Sequence, residues 1–207
     1  IRIRALEING QIIFSAFLHD ISERKEREER TQYESRHDAL TGLRNRRALA
    51  EALPSALARA TRRRAPLGVL FLDLDGFKAV NDAYGHDTGD ELLRSIAMRL
   101  TAGVRKTDSV FRLAGDEFVV VLEGVGLPPV DAYTVAEKLI RSIEQAHALE
   151  SATVTVSTSI GIAIFLPCSD VTADALVREA DRQMYVAKRA GSGQSAPAAD
   201  VHDPASV

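Results

Sequence analysis

Between residues 38 and 190 the sequence alternates amphipathic helical patterns with short apolar strand patterns, and this order restricts the possible folds strongly. The predicted elements are a helix from the N-cap Asn45 to about Arg63, a strand near 69–75, a polar loop at 76–89, a helix near 90–104, strands at 109–113 and 117–122, a helix near 130–146, a strand near 152–165 and a helix near 172–190. This order predicts an α/β chain of the α+β class, with a ferredoxin-like, mostly antiparallel central sheet flanked by helices.

The segments on either side of this region have a different character. Residues 1–21 alternate apolar and polar side chains around Asn9-Gly10, which predicts a hairpin cut from a larger sheet. Residues 22–37 interleave acidic and basic side chains, which predicts an exposed linker helix or a coiled-coil seam. The tail at 191–207 is rich in Ser, Ala, Pro and Gly and is predicted to be disordered. The globular domain is therefore expected at 38–190.

Charge and cysteine content exclude some classes of partner. The net charge of −3 and a pI of about 6.0 argue against a nucleic-acid polymer as ligand. The single cysteine, Cys168, is compatible with a reducing compartment. The chain does not begin with Met and has no apolar run of the ~20 residues that span a bilayer. We expect a cytoplasmic fragment of a longer protein, anchored to an inner membrane only if an upstream segment does so.

Two carboxylates interrupt the apolar strand VLFLDLD. Asp73 and Asp75 are two residues apart, so their side chains point to the same face of a strand. Neighbouring carboxylates repel each other unless a cation neutralises them, and Mg²⁺ prefers one or two carboxylates together with substrate phosphates. The alternative is an ordinary strand end that emerges into solvent.

A second acidic pair lies in the turn between two apolar strands. Gly115 can adopt positive φ there, which places Asp116 and Glu117 at the tip of a hairpin. A plain turn explains the same residues. If the hairpin lies beside the 69–75 strand, Asp116 can share a metal with Asp73, and Glu117 is left to orient or deprotonate an attacking hydroxyl.

Several motifs together carry a family resemblance. They are DALTGLRNRR at 38–47, FLDLDGFKAVNDAYGHDTGDELL at 71–93, RLAGDEFVVVL at 112–122, SIGIA at 159–163 and ADRQMYVAK at 180–188. In order and spacing the chain resembles the GGDEF-domain diguanylate cyclases, whose fold is similar to polymerase palm and nucleotidyl cyclase domains. The segment IFSAFLHDISERK at 13–25 resembles the end of a PAS sensor domain and its outgoing helix.

The resemblance assigns roles to individual residues. It implies that Asp73, Asp116 and the Leu74 carbonyl ligate Mg²⁺ (or Mn²⁺), with Glu117 beside the metal. It further implies that guanine is recognised by Asn81 and Asp90, and that the triphosphate is held by Lys78, Lys188 and the backbone N–H groups of Gly76 and Phe77. Without the resemblance, Asp90 is explained as an acid in the first turn of a helix and Lys188 as a cation near a helix C-terminus.

A regulatory site is also implied. Arg105 and Asp108 resemble the RxxD motif that binds the cyclic dinucleotide product and restrains the enzyme, and Lys138 lies where a second basic contact is expected. The alternative is an ordinary surface Arg–Asp pair. The chain departs from the family pattern at Ala114, which replaces a glycine, and at Ser192, which replaces a triphosphate-binding arginine.

The activity implied by the resemblance is the condensation of two GTP molecules into cyclic di-GMP with release of pyrophosphate. Because each domain holds one GTP, the reaction requires a homodimer. The alternative is a catalytically degenerate domain that binds GTP or cyclic di-GMP and regulates a partner, and a purely structural dimerisation domain is a third interpretation.

Overall fold

A computed structural model describes residues 2–8, 11–17, 21–126, 129–167, 169–191 and 193–200. The chain divides into two compact units, residues 1–35 and 36–207, and each is described by itself. Among the described residues, none of the helices combines the length and apolar character that crossing a membrane requires.

The first unit contains a pair of antiparallel strands and most of one helix. Strands β1 (Arg2–Ile8) and β2 (Gln11–Phe17) are paired from Arg2 opposite Phe17 to Ile8 opposite Gln11, as the alternating pattern predicts. The turn residues Asn9 and Gly10 lie outside the described residues. Helix α1 (Ser22–Arg36) confirms the helix predicted after the hairpin. The PAS resemblance and the coiled-coil seam remain predictions.

The second unit contains the remaining elements. In chain order they are β3 (Arg44–Asn45), α2 (Arg46–Arg63), β4 (Leu67–Asp75), α3 (Phe77–Tyr84), α4 (His86–Gly103), β5 (Ser109–Ala114), β6 (Glu117–Glu123), α5 (Val130–Ile143), β7 (His147–Ala148), β8 (Thr153–Val154), β9 (Ser157–Phe165), α6 (Ala173–Ala190) and β10 (Ser195–Asp200). Asn45 caps α2 as predicted, because its side-chain oxygen accepts the Ala48 N–H at 3.0 Å.

The central sheet has six strands in the order β10-β9-β4-β6-β5-β3. The four inner strands pair antiparallel, and the two edge strands, β10 and β3, pair parallel with their neighbours. Taken in chain order, β4, β5, β6 and β9 occupy the sheet as 4-1-3-2 with helices between them, which is the ferredoxin-like arrangement. The predicted fold class is confirmed.

Alternation along the strands produces two apolar cores, one on each face of the sheet. Leu70, Leu72 and Leu74 of β4 pack with α3, α4 and α5. Val69 and Phe71 belong to the opposite core, which contains α2 and α6. Asp73 and Asp75 continue this second series, so both carboxylates lie on the face that α2 and α6 cover.

Three sequence predictions about element boundaries are wrong. The predicted loop at 76–89 consists of α3 and the start of α4, because Gly76 adopts a left-handed conformation (φ 85°) that lets a helix begin directly after β4. The predicted helix near 130–146 ends at Ile143, and the predicted strand near 152–165 is divided into β8 and β9.

The predicted disorder of the tail is also wrong for part of its length. Residues Ser195–Asp200 form β10, which pairs with the edge strand β9. The backbone of β9 offers hydrogen-bonding groups to this segment whatever its side chains are, and Ala196 is buried by the pairing. The composition of the tail does not reveal that an open sheet edge is available to it. Residues 201–207 lie outside the described residues.

Candidate active site

Strand β4 carries its two carboxylates into different surroundings. Asp73 lies opposite Glu117 of β6 on one side and opposite Ser159 of β9 on the other. Directly opposite side chains share a face of the sheet, so Glu117 points to the same face as Asp73. Asp75 accepts hydrogen bonds from the Ser159 hydroxyl on both oxygens, at 3.1 and 3.0 Å. Asp75 is therefore anchored to β9 by Ser159, whereas Asp73 lies beside the turn carboxylates.

The turn that carries Asp116 is clamped by an arginine that the sequence analysis did not single out. Arg112 donates to the Gly115 carbonyl from Nε at 3.1 Å and from Nη2 at 2.8 Å. Its Nη1 donates to Asp38 Oδ1 at 2.7 Å. Burial raises the pKa of Asp38, but hydrogen bonds from Thr41 and Arg112 outweigh that effect, so the pKa is lowered. The ionised pair thus connects the DALTG segment to the turn.

The replacement of glycine by Ala114 causes no backbone strain. Gly115 has a φ of 51°, as predicted for the turn, whereas Arg64 is the only non-glycine residue with positive φ among the described residues. Ala114 ends β5 in a conformation that any residue can adopt. Ser192, the other departure from the family pattern, lies outside the described residues.

The two turn carboxylates are held in unfavourable electrostatic surroundings. Burial and the neighbouring Asp73 charge raise the pKa of Asp116, against opposing effects of Lys188 and Arg112. Burial also raises the pKa of Glu117, which Arg46 at 3.5 Å partly offsets. Arg46 is a further site residue that the sequence analysis did not identify. Neighbouring carboxylates with raised pKa values are typical of functional sites.

Helix α6 brings Lys188 to Asp73. A Cβ atom at Gly161 of β9 would collide with the backbone of α6 at Ala180 and Met184, so only glycine allows the helix to pack this closely. Lys188 lies two turns after Ala180 on α6, and its Nζ forms an ion pair with Asp73 Oδ1. The hydrogen bond to Asp73 raises the pKa of Lys188. The glycine in the SIGIA motif is the sequence signal for this approach.

The donor atoms fit a hard divalent cation. Asp116 directly precedes Glu117, the residue paired with Asp73, and the Asp73 charge contributes to the raised pKa of Asp116. The ladder between β4 and β6 ends at Asp73, while the ladder with β9 continues to Asp75, which leaves the Leu74 backbone next to the turn. In the described parts of the chain, no group of three or more His, Cys, Asp or Glu side chains is arranged to hold a metal ion. Two carboxylates and a carbonyl suit Mg²⁺, which completes its shell with phosphate and water oxygens.

The residues assigned to the triphosphate lie at the start of α3 and on α6. Gly76 is the N-cap of α3, Phe77 is its first residue, and the exposed Lys78 follows. N–H groups in the first turn of a helix have no partner within the helix and attract anions. The sequence prediction places all three residues at this helix start, directly after the carboxylates of β4.

The residues assigned to guanine lie on two adjacent helices. Asn81 belongs to α3, and Asp90 belongs to α4. A Cβ atom at Gly89 would collide with the Asn81 side chain, so the two helices approach closely next to Asp90. Asp90 lies one turn inside α4 and not at its predicted start, because the helix begins at His86. The Asn81 amide therefore contacts α4 at the residue that directly precedes Asp90.

Arg105 and Asp108 line a separate cavity of about 370 Å³. The Arg105 N–H donates to Asp108 Oδ2 at 2.9 Å, which fixes the carboxylate across the turn. Lys138 donates to the Gly103 carbonyl at 3.0 Å, at the end of α4. The other residues that line the cavity are His37, Gly42, Leu43, Arg44, Thr101, Val104, Lys106, Ser109 and Val110.

Comparisons with known proteins agree with this architecture. The sequence profile of the family described as "Diguanylate cyclase, GGDEF domain" matches residues 35–194. The chain is 48 % identical over 155 residues to the bifunctional diguanylate cyclase/cyclic di-GMP phosphodiesterase MucR of Pseudomonas aeruginosa, covering 75 % of this chain and 22 % of that protein. It is 41 % identical over 173 residues to the diguanylate cyclase TpbB of the same species, covering 83 % of this chain and 39 % of that protein.

Solved structures show the same relationship. The GGDEF domain of PA1120 (TpbB or YfiN) from P. aeruginosa matches with a TM-score of 0.73 and 42 % identity, covering 77 % of this chain and 92 % of that one. The coiled coil and GGDEF domain of DgcB from Caulobacter crescentus, in complex with c-di-GMP, matches with a TM-score of 0.78 at 24 % identity, which supports the fold alone. The chain therefore belongs to the GGDEF domain family of diguanylate cyclases.

Proposed function

We propose that this domain condenses two GTP molecules into cyclic di-GMP and pyrophosphate, as a homodimer. The observation that carries the proposal is that Lys188 forms an ion pair with Asp73 at the end of the sheet where Glu117, the neighbour of Asp116, is paired with Asp73. The start of α3 follows directly on β4, and a cluster of opposite charges beside a helix N-terminus suits a nucleotide triphosphate bound with a divalent cation.

Each group of residues has a part in binding the substrate. The Asp90 carboxylate accepts hydrogen bonds from the N1 and N2 groups of guanine, which are donors, and the Asn81 amide can donate to or accept from the edge of the base. Lys78, Lys188 and the N–H groups of Gly76 and Phe77 hold the triphosphate. Asp73, Asp116 and the Leu74 carbonyl would hold Mg²⁺ or Mn²⁺, which would neutralise phosphate charge and lower the pKa of the attacking hydroxyl.

The reaction is a phosphoryl transfer that occurs twice. The 3′ oxygen of one GTP forms a bond to the α-phosphorus of the other, and the bond from that phosphorus to the bridging oxygen breaks to release pyrophosphate. Glu117 accepts the hydroxyl proton, which its raised pKa favours. Because each domain holds one GTP, the second reactant arrives on a partner domain, and the orientation of the two domains controls the rate.

An assay with GTP and Mg²⁺ tests this proposal. The purified chain is expected to form cyclic di-GMP and pyrophosphate, and Asp73→Asn is expected to abolish both. Asp174→Asn, which removes an exposed acid from the first turn of α6, is the matched control and should retain activity. Saturable GTP binding without product would instead establish a regulatory binding module.

We further propose that cyclic di-GMP inhibits the enzyme through the cavity at Arg105 and Asp108. An Arg side chain can bind phosphate or the N7 and O6 edge of guanine, and Asp108 can accept guanine N–H groups. Added cyclic di-GMP should inhibit the wild type and not Arg105→Ala. The control Arg62→Ala, on the exposed surface of α2, should remain inhibited, and equal inhibition of both variants would exclude the site.

A further inference from the structure

Lys188 forms an ion pair with Asp73, the carboxylate that a divalent cation would also need as a ligand. Its Nζ donates to Asp73 Oδ1, and the Asp73 side chain is only 15 % exposed, while that of Lys188 is 43 % exposed. A largely buried carboxylate gains more from a counter-ion than an exposed one does, because water screens it less. The ammonium group and a cation bound at Asp73 therefore compete for the same oxygen.

The position of Lys188 is set by the helix and not by the ion pair. Contact between α6 and β9 at Gly161 holds the helix against the sheet, and the buried Met184 lies one turn before Lys188. Charges on Asp73, Asp75 and Asp116 all act on this one ammonium group. The flexible four-carbon side chain can leave Asp73 while its backbone stays in place.

We propose that Lys188 is an exchangeable counter-ion of Asp73, which yields this carboxylate to the divalent cation and moves onto the triphosphate, so that cation and nucleotide bind cooperatively. The inference rests on the proposed function, since it assumes that the triphosphate lies beside Asp73. A cation that binds without nucleotide must displace Lys188 with no new anion to receive it. When the triphosphate is present, the ammonium group exchanges one anion for another.

The coupling is reciprocal. If bound nucleotide strengthens cation binding by drawing Lys188 away from Asp73, the bound cation must strengthen nucleotide binding by the same factor. Removal of the ammonium group is therefore expected to have opposite effects on two measurements. Cation binding without nucleotide becomes tighter, because Asp73 loses its competitor, and the coupling between cation and nucleotide becomes smaller.

Binding of Mn²⁺ without nucleotide, measured by electron paramagnetic resonance of the free ion, tests the first effect. Lys188→Met is expected to bind Mn²⁺ about three- to ten-fold more tightly than the wild type, the range expected for the loss of a competing ion pair. The control Arg178→Met removes an exposed positive charge from the same helix and should leave the affinity unchanged. Equal affinity of wild type and Lys188→Met, or an equal gain in Arg178→Met, would overturn the inference.

Binding of a GTP analogue with a methylene group between the α and β phosphates tests the second effect. The ratio of its affinities with and without Mn²⁺ should be several-fold larger in the wild type than in Lys188→Met, and equal ratios would overturn the inference. Asp73→Asn separates this result from the proposed function. If Asp73→Asn weakens Mn²⁺ binding but Lys188→Met leaves it unchanged, only the counter-ion role fails. If Asp73→Asn leaves Mn²⁺ binding unchanged, the metal assignment itself fails.

Discussion

The second unit contains two charged clusters that are built in opposite ways. In one, Arg99 of α4 donates to the carbonyls of Ser142 at 2.6 Å, Gln145 at 2.6 Å and Ala146 at 2.7 Å, at the C-terminal end of α5. In the other, Asp73 and Asp116 repel each other, and Lys188 is the principal cation that faces them. The first cluster satisfies groups that a helix end leaves unpaired, whereas the second holds like charges together.

The difference separates stability from function. The arginine cluster neutralises the negative end of the α5 dipole and therefore stabilises the fold. The carboxylate cluster destabilises the folded chain at neutral pH, because both raised pKa values show that the ionised forms are disfavoured. Natural proteins tolerate such a penalty where a ligand needs the charge. Substitutions in the two clusters should therefore affect stability in opposite directions.

The largest effect is expected from Asp116→Asn. Cyclase activity should fall at least about 100-fold, as is typical when a group that stabilises the transition state is removed. The free energy of unfolding at pH 7, measured with urea, should rise, because a charged carboxylate is no longer buried and its repulsion from Asp73 is lost. The pKa of Asp116 is raised above 3.8, so the difference between variant and wild type should vanish below that pH. A loss of stability at pH 7 would contradict the claim that the carboxylate cluster destabilises the folded chain.

The second effect is expected from Arg99→Met. The free energy of unfolding should fall by about 2–4 kcal/mol, because several carbonyls at the end of α5 lose a charged donor. Urea denaturation measures this loss, and Arg94→Met, on the exposed surface of the same helix, is the matched control. GTP turnover by the folded fraction should be retained. An unchanged midpoint of unfolding would show that the carbonyls are satisfied in another way.

The free energy of unfolding is expected to depend on pH through His147, which belongs to the arginine cluster. His147 is 1 % exposed, its Nδ1 lies 2.7 Å from the Ser95 hydroxyl, and its Nε2 lies 2.9 Å from the Ile143 carbonyl and 3.0 Å from Arg99 Nη1. Burial lowers the pKa of this histidine, and the Arg99 charge adds to the effect, so the unfolded chain binds a proton more readily. Stability should be constant above the ordinary value of 6.5 and fall as the pH drops below it.

The measurement for His147 is urea denaturation between pH 5 and 8, in steps of about half a unit around the ordinary histidine pKa. His147→Gln, which keeps a polar side chain and cannot titrate, should show a flatter dependence below pH 6.5 than the wild type. Identical pH profiles of the two proteins would exclude His147 as the source.

The smallest effect is expected from Ser159→Ala. This change removes the hydroxyl that donates to both oxygens of Asp75, so the free energy of unfolding should fall by about 1 kcal/mol. Thermal denaturation measures the loss, with Ser169→Ala as a control that removes a hydroxyl donating to a backbone carbonyl, that of Leu166. Such a loss would show that the Asp75 carboxylate stabilises the fold through Ser159, although it lies two residues from Asp73. A gain in stability would place Asp75 with the repelling carboxylates.

Much of the fold and the order of the site residues could be predicted from the sequence. The apolar strands, the capped helix after Asn45 and the turn at Gly115 depend on neighbours along the chain, and these local rules are visible in the residue pattern. The two carboxylates of β4 share a face because alternation along a strand is itself a local property. The family motifs then assigned the fold, which the structure confirms.

Other features depend on residues that meet only after folding. Arg112 and Asp38 are 74 positions apart, and Lys188 and Asp73 are 115 positions apart, so no local pattern relates them. The pairing of β10 with β9 depends on an open sheet edge and not on the composition of the tail.

The sequence by itself determined the fold class, the alternation of the strands and the set of acidic and basic residues from which the site is built. Only the tertiary structure decided that Asp75 is anchored by Ser159, that Arg112 clamps the turn and that Lys188 pairs with Asp73. The physical reason is that secondary structure follows from interactions within a few residues, whereas pKa shifts and ion pairs follow from distances that packing sets.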